Sequence, residues 1–390
     1  MRHFSYLNTA ADIIGKYNGV LPFHIFIKDF FKQDKKYGSR DRKQITHLCY
    51  CYFRLGQFAK NKPLQETITE ALFLCSNEQN DLLAAINPAW NDKAFASIEE
   101  KCALLNTDTA SLKIFPFINE LSTGIEINDF DLSHLKQPDV FIRVRPGHYQ
   151  AVISKLEKAA IPFKELQSNC ISLPATTKLD ELLQINKEVV IQDYSSQRTG
   201  GFMQLANTTD ADFTVWDCCA ASGGKSIMAK DVLGNIDLTV SDIRSSVLMN
   251  LKKRFTEAGI TNYKTLAADL TKPIKNFVQE KFQMIIADVP CTGSGTWGRT
   301  PERLSFFTEK EIDKYSVLQK QIVTAAMPCL KDGGYFLYIT CSAFKKENEG
   351  MVEFIQTNFG PNLIKMEILK GYTMKADTMF AALFRKSIEY

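Results

Sequence analysis

Apolar residues recur at three- and four-residue spacing through the first third of the chain, at Ala10–Tyr17, Ile25–Phe31, Ile45–Leu55 and Thr67–Leu74. That spacing predicts helices, and a helical region extending to about residue 135. From Pro138 to Leu183 the pattern changes to strand, helix, strand. Asp139–Gly147 predicts a strand ending in a Pro-Gly turn, His148–Ile161 an amphipathic helix, and Phe163–Ala175 a further, broken strand. From Val189 onward short apolar runs alternate with helical ones. Runs at 215–219, 238–242, 263–269, 284–288 and 335–340 predict strands, with Ser245–Ala258 and Glu311–Met327 helical between them. Apolar strands joined by helical crossovers predict a mostly parallel α/β sheet. Three domains follow: helical 1–135, a small α+β module at 136–188, and an α/β domain at 189–390.

Composition narrows the class. With 45% hydrophobic and 23% charged residues over 390 positions, the chain can bury large cores and is not a disordered one. A net charge of +3 permits an anionic partner without demanding one. Any nucleic-acid footprint is therefore local, and Lys32–Lys43, with six basic and two acidic residues, is a candidate for phosphate contact as well as for a solvated loop. Arg143 and Arg145 share one strand face of the middle module, a placement that suits an RNA-binding sheet platform. No apolar stretch approaches the ~18 residues of a membrane span, and the first twenty residues lack a secretory core. The ten cysteines include no CxxC pair, so we expect reduced thiols and a cytoplasmic location. All five histidines occur at or before His148. Chemistry in the α/β domain therefore uses neither a Cys-His pair nor a histidine-bound metal, and no metal is expected.

In a parallel sheet the ligand lies beyond the carboxyl ends of the strands, where Asp217, Asp242, Asp269, Asp288 and Cys341 fall. The first of these strands runs into Cys219, Ala220, Ala221, Ser222, Gly223, Gly224 and Lys225. Small residues and two glycines there let backbone approach a ligand just ahead of a helix N-terminus. The run matches neither the GxGxxG nor the GxxxxGK[ST] pattern. A carboxylate at Asp242 can accept both hydroxyls of a ribose, and Asp269 can accept an adenine amino group. Three strand ends in this order resemble an S-adenosylmethionine pocket. The fourth strand leads to Asp288-Val289-Pro290-Cys291, in which the proline fixes its own φ and holds Val289 extended. The fifth leads to Thr340-Cys341-Ser342. Both cysteines have Gly, Ser, Thr and Pro neighbours, unlike Cys49, Cys51, Cys75, Cys102, Cys170 and Cys329, which read as small core residues. Two cysteines and an acid beside a methyl donor suit methylation of cytosine carbon 5. That carbon becomes nucleophilic only when a thiolate adds at carbon 6 and an acid supports N3. One thiol must add, and a second group must help the adduct break down.

The stretches QDYSSQ (192–197), CAASGGK (219–225), DVPCTGSG (288–295) and TCS (340–342), with the closing DTMFAALFRK (377–386), resemble the RNA 5-methylcytosine methyltransferases of the RsmB/Nop2/Sun family. GSRDRKQITHLCYCYFRLG (38–56) resembles the NusB-type helical RNA-binding domain that precedes this catalytic domain in small-subunit rRNA methyltransferases of the B type. The resemblance implies a Rossmann-like S-adenosylmethionine-dependent methyltransferase sheet behind a NusB-like domain and a small RNA-contacting module. It implies that Cys341 is the nucleophile, that Cys291 assists release, and that Asp288 holds N3 or the exocyclic amine. Cys219–Lys225, Asp242, Asp269 and Asp288 would line the S-adenosylmethionine site. Ser222 stands where the family has proline, which leaves the loop less restrained. With no histidine nearby, a cation must favour the Cys341 thiolate, and Lys225 is the leading candidate with Arg198 second.

The reading that results is methyl transfer from S-adenosylmethionine to carbon 5 of cytosine in RNA, with 16S rRNA preferred to tRNA. The alternatives are a tRNA cytosine-5 methyltransferase and a non-catalytic RNA-binding or ribosome-assembly factor on the same scaffold. A DNA enzyme would use the Pro-Cys cysteine as nucleophile and lack the second. A small-molecule methyltransferase would need neither the basic N-terminal segment nor the paired cysteines.

Overall fold

The computed structural model describes residues 2–34, 36–59, 63–167, 169–206, 213–272 and 281–388. Lys35 of the basic run and Ser168 of the broken strand lie outside the described residues. The chain divides into two compact units. The first comprises Met1–Asn119, Glu126–Gln137 and Trp297–Thr308, and the second Glu120–Ile125, Pro138–Thr296 and Glu309–Tyr390.

The first unit is helical. Its four main helices are Arg2–Lys16, Phe23–Gln33, Ser39–Arg54 and Leu64–Cys75, where the apolar spacing places them. The third begins where the Asp41 carboxylate accepts the Gly38 N–H (2.9 Å) and buries Ile45, Leu48, Cys49 and Phe53 along one face. Short helices follow, started by Asn80, Asn87, Ser97 and Asp108, each of which accepts an N–H in the first turn. Arg54 is buried because Nη1 donates to the carbonyls of His134 and Lys136 (both 3.0 Å), tying the third helix to the segment after Ile127–Ser133. In the basic run, Lys32 pairs with Asp29, Lys36 with Asp34 and Arg40 with Asp81 (2.7, 2.7 and 3.5 Å). Its surplus charge is thus smaller than the residue count suggests.

Residues 297–308 depart from the sequence-based division, which puts them in the α/β domain. Their aromatic side chains pack in the helical unit. Trp297 is buried, with ring centroids 5.2 Å from Phe115 and 4.7 Å from Phe307, and Phe306 meets Tyr17 at 5.1 Å. Gly19, at φ 76°, leaves the room: a Cβ there would lie 2.5 Å from the Phe306 ring. Packing of three aromatic rings, with Trp297 and Phe307 buried, outweighs chain proximity.

The second unit carries two sheets. The smaller is antiparallel, in the order β2 (Lys164–Glu165), β3 (Cys170–Leu173), β1 (Val140–Val144), β4 (Val189–Ile191). Helix Tyr149–Lys158 buries Val152 and Leu156 against Ile142, Val144 and Ile171. The boundary expected at 188 cuts this sheet, because β4 pairs with β1 in the register Ile142↔Ile191 and Val144↔Val189. Arg143 and Arg145 do not present a surface for nucleic acid. Both bind Asp231, at 2.6 and 2.9 Å, and Arg145 Nη1 also donates to the Ala258 carbonyl (2.7 Å). They fasten the small sheet to the helices of the large one.

The large sheet has seven strands in the order β10 (Asn362–Leu369), β11 (Met379–Arg385), β9 (Leu330–Thr340), β8 (Phe282–Asp288), β5 (Phe213–Asp217), β6 (Ile236–Asp242), β7 (Lys264–Ala267). The five from β9 to β7 run parallel, and β11 is antiparallel to both neighbours. Strand alternation divides the core into two layers. Val215, Leu238, Met284 and Leu337 face helices Gly224–Leu233 and Ser245–Glu257, while Trp216, Ile285, Phe336 and Tyr338 face Lys310–Ala326 and Glu349–Phe359. This is the Rossmann-like α/β sheet expected, with helices on both faces. Among the described residues no helix is long and apolar enough to cross a membrane.

Candidate active site

The loops at the carboxyl edge of the sheet are joined side to side by backbone hydrogen bonds. Cys218 N–H donates to Ile286 O (2.9 Å), Ala220 N–H to Ser241 O (2.8 Å), Ala268 N–H to Asp242 O (3.1 Å) and Val289 N–H to Ile339 O (3.1 Å). The residues following β5, β6, β7, β8 and β9 therefore form one continuous rim, and each acid and cysteine singled out above lies on it.

The loop after β5 turns sharply. Ala221 and Gly223 are left-handed, at φ 45° and 84°, and a Cβ on Gly223 would approach Phe255 to 2.7 Å, so glycine is required there. The Asp242 carboxylate accepts the Ala221 N–H through Oδ2 (3.1 Å) and the Arg244 N–H through Oδ1 (2.9 Å). Ser222 is not loose. Arg254 Nη1 donates to its carbonyl (3.0 Å) and its hydroxyl (2.8 Å), while Arg254 Nε binds Asn186 (2.9 Å). A guanidinium supplies from outside the restraint that a proline ring would supply from within. A Cβ on Gly224 would meet nothing within 4 Å, so open space adjoins the first turn of helix Gly224–Leu233, whose leading N–H groups lack intrahelical partners. Asp269, just past Ala268, accepts the Thr271 N–H (3.1 Å) and pairs with Lys272 (3.1 Å).

The reactive side of the rim gathers Lys225, Asp288, Cys291 and Cys341. Lys225 Nζ, in a side chain only 8% exposed, donates to Asp288 Oδ2 (3.0 Å) and Ser196 Oγ (2.8 Å). Burial pulls its pKa down, but Asp288 and Cys341 outweigh that and leave it raised. The Cys341 N–H donates to Cys291 Sγ (3.3 Å), which places the two cysteines side by side. Gly295 closes the arrangement: its N–H donates to Cys341 O (2.9 Å) and its carbonyl accepts the Thr378 N–H (2.8 Å). A Cβ there would fall 1.9 Å from Thr378 O, so only glycine allows this approach.

Cys341 is held as a thiol. The hydrogen bond to Cys291 raises its pKa most, burial and the charges of Cys291 and Asp288 add to this, and Lys225 opposes them. Lys225 thus acts in the direction the sequence suggests but does not prevail against the Cys291 hydrogen bond and burial. Arg198 is engaged elsewhere: it pairs with Glu367 and covers the Tyr194 ring.

Three further residues take part; Asp217 is one of the strand-end acids named above, while Ser196 and Glu347 were assigned no role from the sequence. Ser196 supports Lys225. Asp217 is wholly buried, accepts the Ser226 hydroxyl (2.6 Å), and is pushed up to about 7, by burial first, with Ser226 opposing and Asp288 adding. Glu347, also wholly buried, accepts hydrogen bonds from the residues that follow each cysteine. Its setting, Lys345-Lys346-Glu347-Asn348-Glu349, reads as a polar surface run, and the only available signal is Asn348 at the cap of a helix. Among the described residues, no three His, Cys, Asp or Glu side chains group as a metal site.

Residues 202–381 match the family described as 16S rRNA methyltransferase RsmB/F. The probable ribosomal RNA small subunit methyltransferase B of Bacillus subtilis is 33% identical over 186 residues, 46% of this chain and 40% of that protein. The ribosomal RNA small subunit methyltransferase B of Proteus mirabilis is 26% identical over 222 residues, 56% of this chain and 51% of that protein. The chain thus spans about half the length of these relatives or less. In fold it is similar to PH0851, with TM-score 0.71 and 19% identity over 99% of this chain and 98% of that one. It is also similar to NSun6 from Pyrococcus horikoshii, solved with SFG, with TM-score 0.60 and 16% identity over 70% of this chain and 97% of that one. The likeness to the RsmB/F methyltransferase family lies in residues 202–381, a little under half of the chain.

Proposed function

We propose that the chain transfers a methyl group from S-adenosylmethionine to carbon 5 of cytosine in RNA, with small-subunit rRNA as its substrate. The observation that carries this reading is the pair Cys291 and Cys341, side by side next to the Lys225–Asp288 ion pair on one rim. The residues suit the donor. The left-handed loop at Ala221 and Gly223, the open space at Gly224 and the two-oxygen acceptor at Asp242 would hold its amino-acid and ribose parts. When bound, S-adenosylmethionine supplies an electrophilic methyl group.

The remaining chemistry falls to the protein. Cys341 passes its proton to Asp288 as its sulfur bonds to carbon 6 of cytosine, and Asp288, so protonated, or its Lys225 partner donates towards the negative charge that develops at N3. The electron pair then available at carbon 5 takes the methyl group. Loss of the carbon 5 proton and cleavage of the carbon 6–sulfur bond return Cys341, with Cys291 beside it to assist. The partly buried Cys341 thiol suits this order, since a permanent thiolate there would react with other electrophiles before a base arrives. In this reading the helical unit grips the RNA.

Nucleoside mass spectrometry on separated rRNA and tRNA, from cells with and without the gene, tests the proposal. Loss of 5-methylcytidine from the rRNA pool is expected. Loss from tRNA alone would reassign the substrate, and loss from neither would favour the assembly-factor alternative.

A further inference from the structure

We infer that Glu347 is a positioning residue that fixes the spacing of the two reactive cysteines. Glu347 is 0% exposed and lies between the loops that carry them. Its Oε1 accepts the Thr292 N–H (3.0 Å) and the Gln319 amide (2.8 Å), and its Oε2 accepts the Thr292 hydroxyl (2.5 Å) and the Ser342 hydroxyl. Thr292 follows Cys291 directly and Ser342 follows Cys341 directly. One carboxylate therefore binds the residue next to each reactive sulfur, using all its acceptor capacity on donors from three segments.

The surroundings strengthen the clamp. Ser294 Oγ lies 3.2 Å from Ser342 Oγ and accepts the Ala343 N–H (2.8 Å), and Gln319 Nε2 also donates to the Pro290 carbonyl (3.1 Å). Tyr338 donates its hydroxyl to the Glu347 carbonyl (2.8 Å), and Asn348 holds the Ser342 carbonyl (2.9 Å). A buried carboxylate is costly unless its hydrogen bonds are made, and a neutral amide in its place would turn an N–H towards donors. An apolar core could hold the loops together, but it could not fix two Cα traces to within a hydrogen-bond length.

The inference takes Cys341 and Cys291 as the reacting pair, as in the function proposed above, and its test needs neither RNA nor a methyl donor. Phenylarsine oxide bridges two thiols only when they are held close, and peptide mass spectrometry identifies which cysteines it joins. In the full chain it is expected to bridge Cys291 and Cys341. In Glu347→Gln the rate of bridging is expected to fall about tenfold, the scale of one lost charge-assisted hydrogen bond. The pH profile of Cys341 alkylation is expected to move down, towards that of an ordinary cysteine, as the contact with Cys291 loosens. A merely structural role would lower the melting temperature without moving that profile. If Glu347→Gln does not fold, the double variant Thr292→Val with Ser342→Ala removes the two hydroxyl donors and is expected to show both effects in smaller measure. Unchanged bridging and an unchanged profile in the folded variant would overturn the inference. Glu347-dependent bridging in a chain that methylates nothing would leave the positioning role standing and remove the proposed activity.

Discussion

Cys341 titrates under several opposed influences, and two of them can be removed singly. Cys291→Ala deletes the largest upward one, so the pH midpoint of Cys341 alkylation by iodoacetamide is expected to fall. Lys225→Ala deletes the opposing charge, so the midpoint is expected to rise. A shift of either variant in the other direction would contradict the electrostatics described here. Asp217 makes a different pH prediction. Its folded-state pKa of about 7 lies above that of the unfolded chain. The native state therefore binds the extra proton, and this contribution to stability is present below about pH 4 and lost as pH rises to about 7. The loss is on the order of 4 kcal/mol at full ionisation. Asp217→Asn is expected to flatten unfolding free energy, measured in urea between pH 5 and pH 8, and a variant as pH-dependent as the parent would exclude Asp217 as the source. Among single residues the cysteines and strand-end acids were legible, because their sequence motifs are local. Glu347 was not, since its burial depends on three segments that meet only in the fold.

Asp231 joins two elements that the sequence assigns to different domains. It stands between Arg143 of β1 and Arg145 just beyond it, with 7% of its own side chain exposed. Asp231→Ala would leave two nearly buried cations without a counter-charge, at a cost of about 3–5 kcal/mol. Urea unfolding should register this loss, and a change below about 1 kcal/mol would mean that water already screens the pair. Strands β5, β8 and β9 were legible because each carries an apolar run buried on both faces, and β6 because Ile236, Leu238 and Val240 alternate with polar residues. β10 was not, because at the sheet edge Asn362–Leu369 exposes half of its residues and interleaves Lys365 and Glu367 among apolar ones. The short helices between 81 and 133 also lacked a signal, since one or two turns do not establish a period.

The whole chain alternates between its two units in six segments and so passes between them five times. A piece of the N-terminal half, Glu120–Ile125, joins the sheet unit, where Leu121 bridges Phe344 and Ser122 N–H donates to Ala343 O (2.8 Å). Conversely, Trp297–Thr308 completes the helical core immediately after the Cys291 loop. Trp297→Ala is therefore expected to cost about 3–5 kcal/mol and to release amide protons in Phe23–Gln33 and Ser39–Arg54. Hydrogen exchange confined to the large sheet would contradict that placement. Contiguous reading of domains missed this exchange because aromatic residues carry no label for the core they join.

The central claim concerns which sulfur bonds to RNA. The most direct measurement incubates each variant with S-adenosylmethionine and small-subunit rRNA, then resolves protein–RNA adducts under denaturing conditions and maps the bonded cysteine by mass spectrometry. Cys291→Ala is expected to accumulate an adduct through Cys341, because attack and methyl transfer proceed and release fails. Cys341→Ala is expected to form none. An adduct through Cys291 in the Cys341→Ala protein, or none in the folded Cys291→Ala protein, would contradict the account.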